Sequence, residues 1–269
     1  MTAPEEPLLI TSAANPLLVA VRKGLRDGAA YRRGSALWLE GDHLCGAAAA
    51  RGVVVRQALV AESAWVHAER RALARHAERV ARLPDALFAS LSGLESPSDI
   101  GFVLDSPPVV RPDTTLDTVV LDRLQDAGNV GSILRSAAAL GVSQVLALKG
   151  TAALWSPKVL RAGMGAHFAL RLVEGLSDDE VLALDLTLVG TSSHGGQPLH
   201  RAALPRPAAW LMGHEGQGVS ARLLAACQLR VGIPQPGGEE SLNVAAAAAI
   251  CLYEALRQRQ PPDLGRAAQ

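Results

Sequence analysis

Leu121-Asp-Arg-Leu-Gln-Asp-Ala-Gly-Asn-Val-Gly-Ser-Ile-Leu-Arg135 passes from the end of an apolar run, through a turn carrying Asn129 and Gly131, into a helical segment that bears Arg135. The same passage from apolar run to glycine-rich loop recurs twice downstream. At Leu211–Ser220, LMGHEGQGVS, three glycines fall within six residues; at Ile233–Val244, IPQPGGEESLNV, an irregular loop opens through Ser241, Leu242 and Asn243 onto a last helix reaching about Arg257. Working outward, apolar runs at Thr118–Leu121, Gln144–Leu148, Leu186–Gly190, Ala209–Met212 and Leu229–Ile233 are continuous rather than alternating. Strands of a parallel sheet covered on both faces read this way. Helical segments at Val130–Leu140, Ser177–Leu184 and Ser220–Ala226 lie between them. The alternation predicts an α/β domain with a doubly wound parallel sheet and helices on both faces.

Four prolines (Pro97, Pro107, Pro108, Pro112) punctuate Ser96–Asp113 and set the expected boundary, giving domains 1–112 and 113–269. The first half predicts a smaller α/β domain. Asn15 can cap a helix that begins at Pro16, Ala36–Leu39 and Val53–Val60 read as strands, and Glu62–Val80 reads as helical stretches. Across 269 residues, 49% hydrophobic and 19% charged residues exclude a disordered chain. Lys plus Arg and Asp plus Glu are 26 each, so any basic surface must be local. One candidate is Arg22–Arg82, with 12 basic against 6 acidic residues, although its Glu69–Arg82 portion is equally a solvated helix face. Aromatics at 3% argue against a base-stacking platform. Cys45, Cys227 and Cys251 share no metal-ligand spacing and read as buried thiols, so neither a disulfide framework nor a metal site is expected. No export signal or membrane span is evident, and a cytoplasmic location is the expectation.

Ligands of open parallel sheets bind beyond the carboxyl ends of the strands, where the three loops fall. None of them is a G-x-G-x-x-G fingerprint or a phosphate loop; Gly163–Phe168 has Phe at the last glycine position. Asn129 and Asn243 can each be a helix cap or a ligand contact, Arg135 a surface residue or a functional one, and Glu215 needs a partner or solvent. Together, three such loops on one sheet describe a backbone-lined pocket.

Asn129–Arg135 (NVGSILR), Gly213–Gly218 (GHEGQG) and Ile233–Val244 resemble, in order and spacing, the three motifs of the SpoU/TrmH family, S-adenosylmethionine-dependent RNA 2′-O-ribose methyltransferases of the SPOUT superfamily. The resemblance covers about Leu116 to Arg257, and Arg161–Phe168 (RAGMGAHF) is similar to a family segment between the first two motifs. Asn15-Pro16 and Leu39-Glu40-Gly41 resemble the ribosomal-protein-L30e-like substrate-binding domain of many members.

The resemblance implies a deep trefoil knot and a homodimer through the C-terminal domain with the active site near its interface. It implies S-adenosylmethionine held by main-chain groups at Leu211–Gly213, Ile233 and Leu242, lined by Thr191, and shaped by Gly218, Ser241 and Asn243. Arg135 matches the catalytic arginine, with Asn129 and Glu215 positioning it or the nucleotide, and Arg22, Arg32 and Arg33 would lie in the RNA-binding domain. Two departures stand out: Gln235 occupies a position where Met is more usual, and Glu239 one where a small or apolar residue is usual. Because a guanidinium stays protonated at neutral pH, Arg135 is expected to bind the RNA phosphate and stabilise alkoxide charge rather than act as a free base. Ribosomal RNA is the expected substrate ahead of tRNA. A non-catalytic RNA-binding protein retaining the fold is the alternative, and a base methyltransferase ranks last because such branches lack the Asn-x-Gly-x-x-x-Arg arrangement.

Overall fold

A computed structural model describes residues 7–93, 96–192, 195–237 and 241–259. The first half runs β1 (Leu8–Leu9), α1 (Pro16–Arg26), β2 (Leu37–Glu40), α2 (Asp42–Ala50), β3 (Val55–Ala61), α3 (Ala68–Ala74), β4 (Ala77–Leu83), α4 (Asp85–Ala89) and β5 (Ile100–Leu104). The second half runs β6 (Thr118–Asp122), α5 (Ala127–Ala139), β7 (Gln144–Leu148), α6 (Pro157–Gly163), β8 (Arg171–Leu176), α7 (Asp178–Leu182), β9 (Leu188–Thr191), β10 (Gln197–Pro198), β11 (Ala209–Gly213), α8 (Ala221–Ala225), β12 (Leu229–Gly232) and α9 (Val244–Arg259). Contacts divide the chain into two compact units, one formed by residues up to Pro108 with Trp155–Phe168, the other by Val109–Leu154 with residues from Ala169 onward.

The first unit is built on a mixed five-stranded sheet in the order β1-β4-β3-β5-β2, with β3 antiparallel to β5 and parallel to β4. Asn15 caps α1 as its sequence suggests, accepting from Leu17 N at 3.0 Å, with Pro16 in the first turn. Gly101 is required by packing, because a Cβ there would stand 2.1 Å from the Trp38 ring. The expected helix over Glu62–Val80 is corrected. Ala68–Ala74 is helical, but Ala77–Leu83 forms β4, whose buried Ala81 and Leu83 alternate and pair in register with Leu59 and Ala61 of β3. Its charged residues suit the helix spacing of the preceding turn, and strand pairing overrides that local preference.

The second unit carries a seven-stranded sheet in the order β10-β12-β9-β11-β6-β7-β8, every neighbouring pair parallel. Five of its strands, β6, β7, β9, β11 and β12, fall on the continuous apolar runs, and Val120, Leu146, Leu188 and Leu211 form one buried cluster. β8 was not anticipated: charged Arg171 and Glu174 interrupt its apolar pattern at the sheet edge. Gln144 opens β7 fully buried yet satisfied, its amide bonding Asp113 N, Asp113 O and Thr118 Oγ1 at 2.8–3.0 Å.

At the amino end of β6, Asp117 pairs with Arg259 of α9 at 2.8 Å, the side chains only 12% and 15% exposed, and its other oxygen accepts from Ala208 N at 3.0 Å. Removing one member leaves the other shielded charge without a partner. Asp117→Ala is therefore expected to lower unfolding stability by about 3 kcal/mol, read as a lower urea midpoint at unchanged m-value. Among the described residues no helix is long and apolar enough to cross a membrane, and no group of three or more His, Cys, Asp or Glu could hold a metal ion. Cys45 and Cys251 are buried and Cys227 half-buried, all as free thiols.

Candidate active site

β6, β9, β11 and β12 end at the same edge of the second unit's sheet, and the loops leaving them supply the site. After β6, the N-cap of α5 is Asp126, whose carboxylate accepts from Asn129 N at 2.7 Å. Asn129 therefore does not cap the helix. Its side-chain amide is free to face the other loops, donating to Glu215 Oε1 at 3.2 Å and accepting from Asn243 Nδ2 at 2.9 Å. Asn243 does both jobs, since its Oδ1 also accepts from Ala245 N and Ala246 N at 2.9 and 3.3 Å, capping α9.

Glu215 completes the junction. Its carboxylate accepts from Gln125 N at 3.3 Å and Asp126 N at 3.1 Å, two free donors at the start of α5. A hydrogen-bonded chain thus runs from the β11 loop through Glu215 and Asn129 to Asn243 at the head of α9, joining all three loops. Partial burial pushes the Glu215 carboxyl up, but its hydrogen bonds with the backbone and with Asn129 outweigh this and hold it below its ordinary 4.5. A carboxylate depressed on folding stabilises the folded state above its unfolded pKa and loses that contribution as pH falls through the folded value. Between pH 6 and pH 3, wild-type protein should lose more melting temperature than Glu215→Gln, which does not titrate there; parallel curves would contradict the role.

The Gly213–Gly218 loop closes tightly. Gly218 N donates to His214 O at 2.8 Å with Gly218 at φ +69°, and His214 Nδ1 accepts from Gly216 N and Gln217 N at 3.0 and 3.3 Å. A Cβ on Gly213 would stand 2.1 Å from Gly218 C and Val219 N, so glycine is obligatory there. Below this loop lies a cavity of about 530 Å³ lined by Thr191, Gly213, Glu215, Gly218, Ile233, Gln235, Ser241, Leu242, Asn243 and Cys251, among others.

Of the residues expected to hold the methyl donor, Thr191, Gly213, Gly218, Ile233, Ser241, Leu242 and Asn243 are brought together on this cavity. Leu211 is not: it lies inside β11, and its carbonyl accepts from Thr191 Oγ1 at 2.7 Å. Arg135 does not line the cavity either. It is exposed on α5, with no hydrogen bond or ion pair among the described residues. Arg22 and Arg33 have intramolecular partners, Arg22 donating to Ala13 O and Ser90 Oγ and Arg33 pairing with Asp27. Arg32 lies over the Tyr31 ring, its Cζ 5.8 Å from the centroid. Glu239 lies outside the described residues. The sequence reading missed Asp126 as the cap, Asp122 beneath the β11 loop and the His214 brace. An Asp three residues before Asn129 was a legible cap signal for the first; nothing local marks the other two.

The cavity suits S-adenosylmethionine. Its volume is in the range of small-molecule sites, its lining mixes glycines with polar and apolar side chains, and Gln235 Oε1 is buried with no hydrogen-bond partner among the described residues, an acceptor suited to an amino group. Burial pushes the Cys251 thiol up to about 12, so it serves as an uncharged wall.

Residues 117–253 match the model of the SpoU rRNA Methylase family. The chain is 31% identical over 218 residues to the 23S rRNA (guanosine(2553)-2′-O)-methyltransferase RlmP of Bacillus subtilis, over 80% of this chain and 86% of that one. It is 34% identical over 197 residues to a 23S rRNA (uridine(2479)-2′-O)-methyltransferase of Streptomyces viridochromogenes, over 68% of each. The SpoU methyltransferase AviRb from the same species, solved in complex with AdoMet, superposes with a TM-score of 0.80 at 28% identity, over 91% of this chain and 98% of that one.

Proposed function

The chain belongs to the SpoU rRNA methylase family, and from that premise we propose that it transfers a methyl group from S-adenosylmethionine to a ribose 2′-hydroxyl of ribosomal RNA. The observation that carries the proposal is the Glu215–Asn129–Asn243 chain, which ties three loops into one rigid rim over a cavity fit for the donor. Thr191, Gly213, Gly218, Ile233, Ser241, Leu242 and Asn243 hold the donor in this reading. When bound, S-adenosylmethionine supplies an electrophilic methyl carbon on a sulfonium that leaves neutral, so no general acid is needed.

The chain's own task is to orient the ribose and manage its hydroxyl proton. Arg135, which has no partner among the described residues, binds the phosphate next to the target ribose and stabilises the charge developing on the 2′-oxygen. A non-bridging phosphate oxygen takes the proton. Glu215 and Asn129 act at one remove, fixing the first turn of the helix that carries Arg135.

The finer features of the family reading are proposals as well. The parallel order β12-β9-β11-β6 supports a trefoil knot in the second unit. The first unit, with its excess of arginine over residues 22–82, is read as an L30e-like domain that binds structured RNA. Ala246, Ile250, Tyr253 and Arg257 form one exposed stripe on α9, with Ile250 and Tyr253 41% and 59% exposed. An apolar stripe on the helix that packs against α5 supports a homodimer through this face, and sedimentation velocity should give twice 28.1 kDa.

The function is tested with labelled S-adenosylmethionine and, separately, rRNA and tRNA from a deletion strain. Label is expected in rRNA, with primer extension at limiting dNTP gaining one stop after treatment. Donor binding with no transfer to either RNA would overturn it in favour of a non-catalytic RNA-binding protein, and transfer to tRNA alone would overturn the substrate.

A further inference from the structure

Arg123, the residue that follows β6, is held in place by features that the chemistry above does not use. Its φ is +61°, and Met164 is its one companion as a non-glycine positive-φ residue among those described. A residue with a Cβ adopts this conformation at a cost and persists there only when its surroundings insist. The surroundings here are specific. Asp122, fully buried at 0% exposure, stands under the guanidinium with Oδ1 2.9 Å from Arg123 Nε, while Arg123 Nη2 donates to Oδ2 at 3.1 Å. The same Oδ2 accepts from Ser220 N at 2.7 Å, at the exit of the β11 loop. Beneath the alkyl stem lies Gly150, φ +95°, where a Cβ would stand 3.3 Å from Arg123 Cγ.

This arrangement holds a planar guanidinium by one edge and leaves the other edge outward. Nη1 has no hydrogen-bond partner among the described residues, and the side chain is 38% exposed. Neutralising a buried carboxylate needs only a cation; one hydrogen bond from Nη2, with Nε held in ion-pair contact but without a hydrogen bond, on a left-handed backbone, additionally restricts the direction in which the free edge points. That direction matters because of where Arg123 lies. Leu121 pairs with Ala147 in register, so Arg123 and Lys149 each follow the end of one of two adjoining parallel strands at the carboxyl rim. Two residues beyond Arg123, the backbone of Gln125 and Asp126 is bonded to Glu215. Arg123 is not among the residues lining the donor cavity, so its free edge faces something other than the methyl donor.

We propose that Arg123, preorganised by Asp122, binds a backbone phosphate of the RNA strand flanking the target nucleotide, and so serves as an RNA-positioning residue beside Arg135. The inference rests on the RNA methyltransferase reading. A phosphodiester is the ligand that fits: it is anionic, it takes a guanidinium edge through two oxygens, and it recurs along the strand so that Lys149 can meet a neighbouring one.

The test uses the full-length protein, rRNA from a deletion strain, and the variants Arg123→Asn, which tolerates the left-handed backbone, and Arg123→Lys, which keeps the charge but not the fork. Arg123→Asn should raise KM for rRNA about tenfold and reduce the slope of log affinity against log salt by about 1. Both kcat and the donor Kd should stay within about twofold. Arg123→Lys should recover the salt slope but not the full KM. An unchanged salt slope, with the loss confined to donor affinity or melting temperature, would make the pair an internal brace of the β11 loop and overturn the proposal. Salt-slope binding needs no methyl transfer. If the wild type failed to methylate this RNA, the function proposed above would fall while the Arg123 contact was still decided.

Discussion

Arg135→Ala is expected to lower methyl transfer to rRNA by about 10²- to 10³-fold, while S-adenosylmethionine affinity stays within about twofold. The two halves of this expectation come from the placement of the residue. Arg135 is exposed on α5, does not line the cavity and has no partner in the protein among the described residues, so truncating it removes nothing that shapes the donor pocket. The guanidinium is instead free to take an anion, and in the proposed reaction the anion that matters is the phosphate beside the ribose whose oxygen gains charge as the methyl is transferred. An interaction that strengthens as charge develops lowers kcat when lost, whereas one made equally with bound RNA raises only KM. Single-turnover transfer with labelled donor, set beside donor titration by calorimetry, separates the two. Arg135→Lys should fall in the same direction, because an ammonium cannot bridge two phosphate oxygens in one plane. An alanine variant with near-normal turnover would remove Arg135 from the mechanism.

The central strands β6, β7 and β11 of the second unit were legible because every residue in them is buried. Runs such as Gln144–Leu148 and Ala209–Met212 coincide with or fall within the observed β7 and β11, since a strand with no solvent face has no room for charge. The first unit was less legible where pairing partners decide the outcome: Ala77–Leu83 carries Glu78, Arg79 and Arg82, and becomes a strand through its neighbour β3. The site shows the same division. Loops rich in Gly and Asn read as candidate ligand loops, and seven of the eight residues expected at the donor line one cavity. What each polar side chain bonds to depends on loops far apart in sequence. Glu215 meeting Gln125, Asp126 and Asn129 spans about 90 residues, and no local pattern records such a meeting. The alternative that Asn129 is a helix cap fell for this reason: Asp126 already holds that position.

Gly213→Ala should weaken donor binding by up to about 100-fold while the sheet beneath it persists. The added Cβ would stand 2.1 Å from Gly218 C and Val219 N and 2.6 Å from Gly218 O. These are backbone atoms, so no side-chain rotation relieves the clash. β11 cannot retreat, because Gly213 is in register with Asp122 of β6. The loop must therefore open, breaking the bond from Gly218 N to His214 O and shifting Glu215 away from the start of α5. Overpacking of this kind costs about 1–3 kcal/mol, enough at the upper end to raise the donor Kd about 100-fold if the opened loop no longer walls the cavity. Gly216→Ala in the same loop is the control. Its Cβ would approach nothing closer than 3.8 Å, the ring atoms of His214, and its melting temperature should stay near wild type. If Gly213→Ala bound S-adenosylmethionine as tightly as the wild type, the closed loop would not be what forms the donor site. Rigidity would then have to come from the Glu215–Asn129–Asn243 chain alone, and Glu215→Gln would be left to carry the loss.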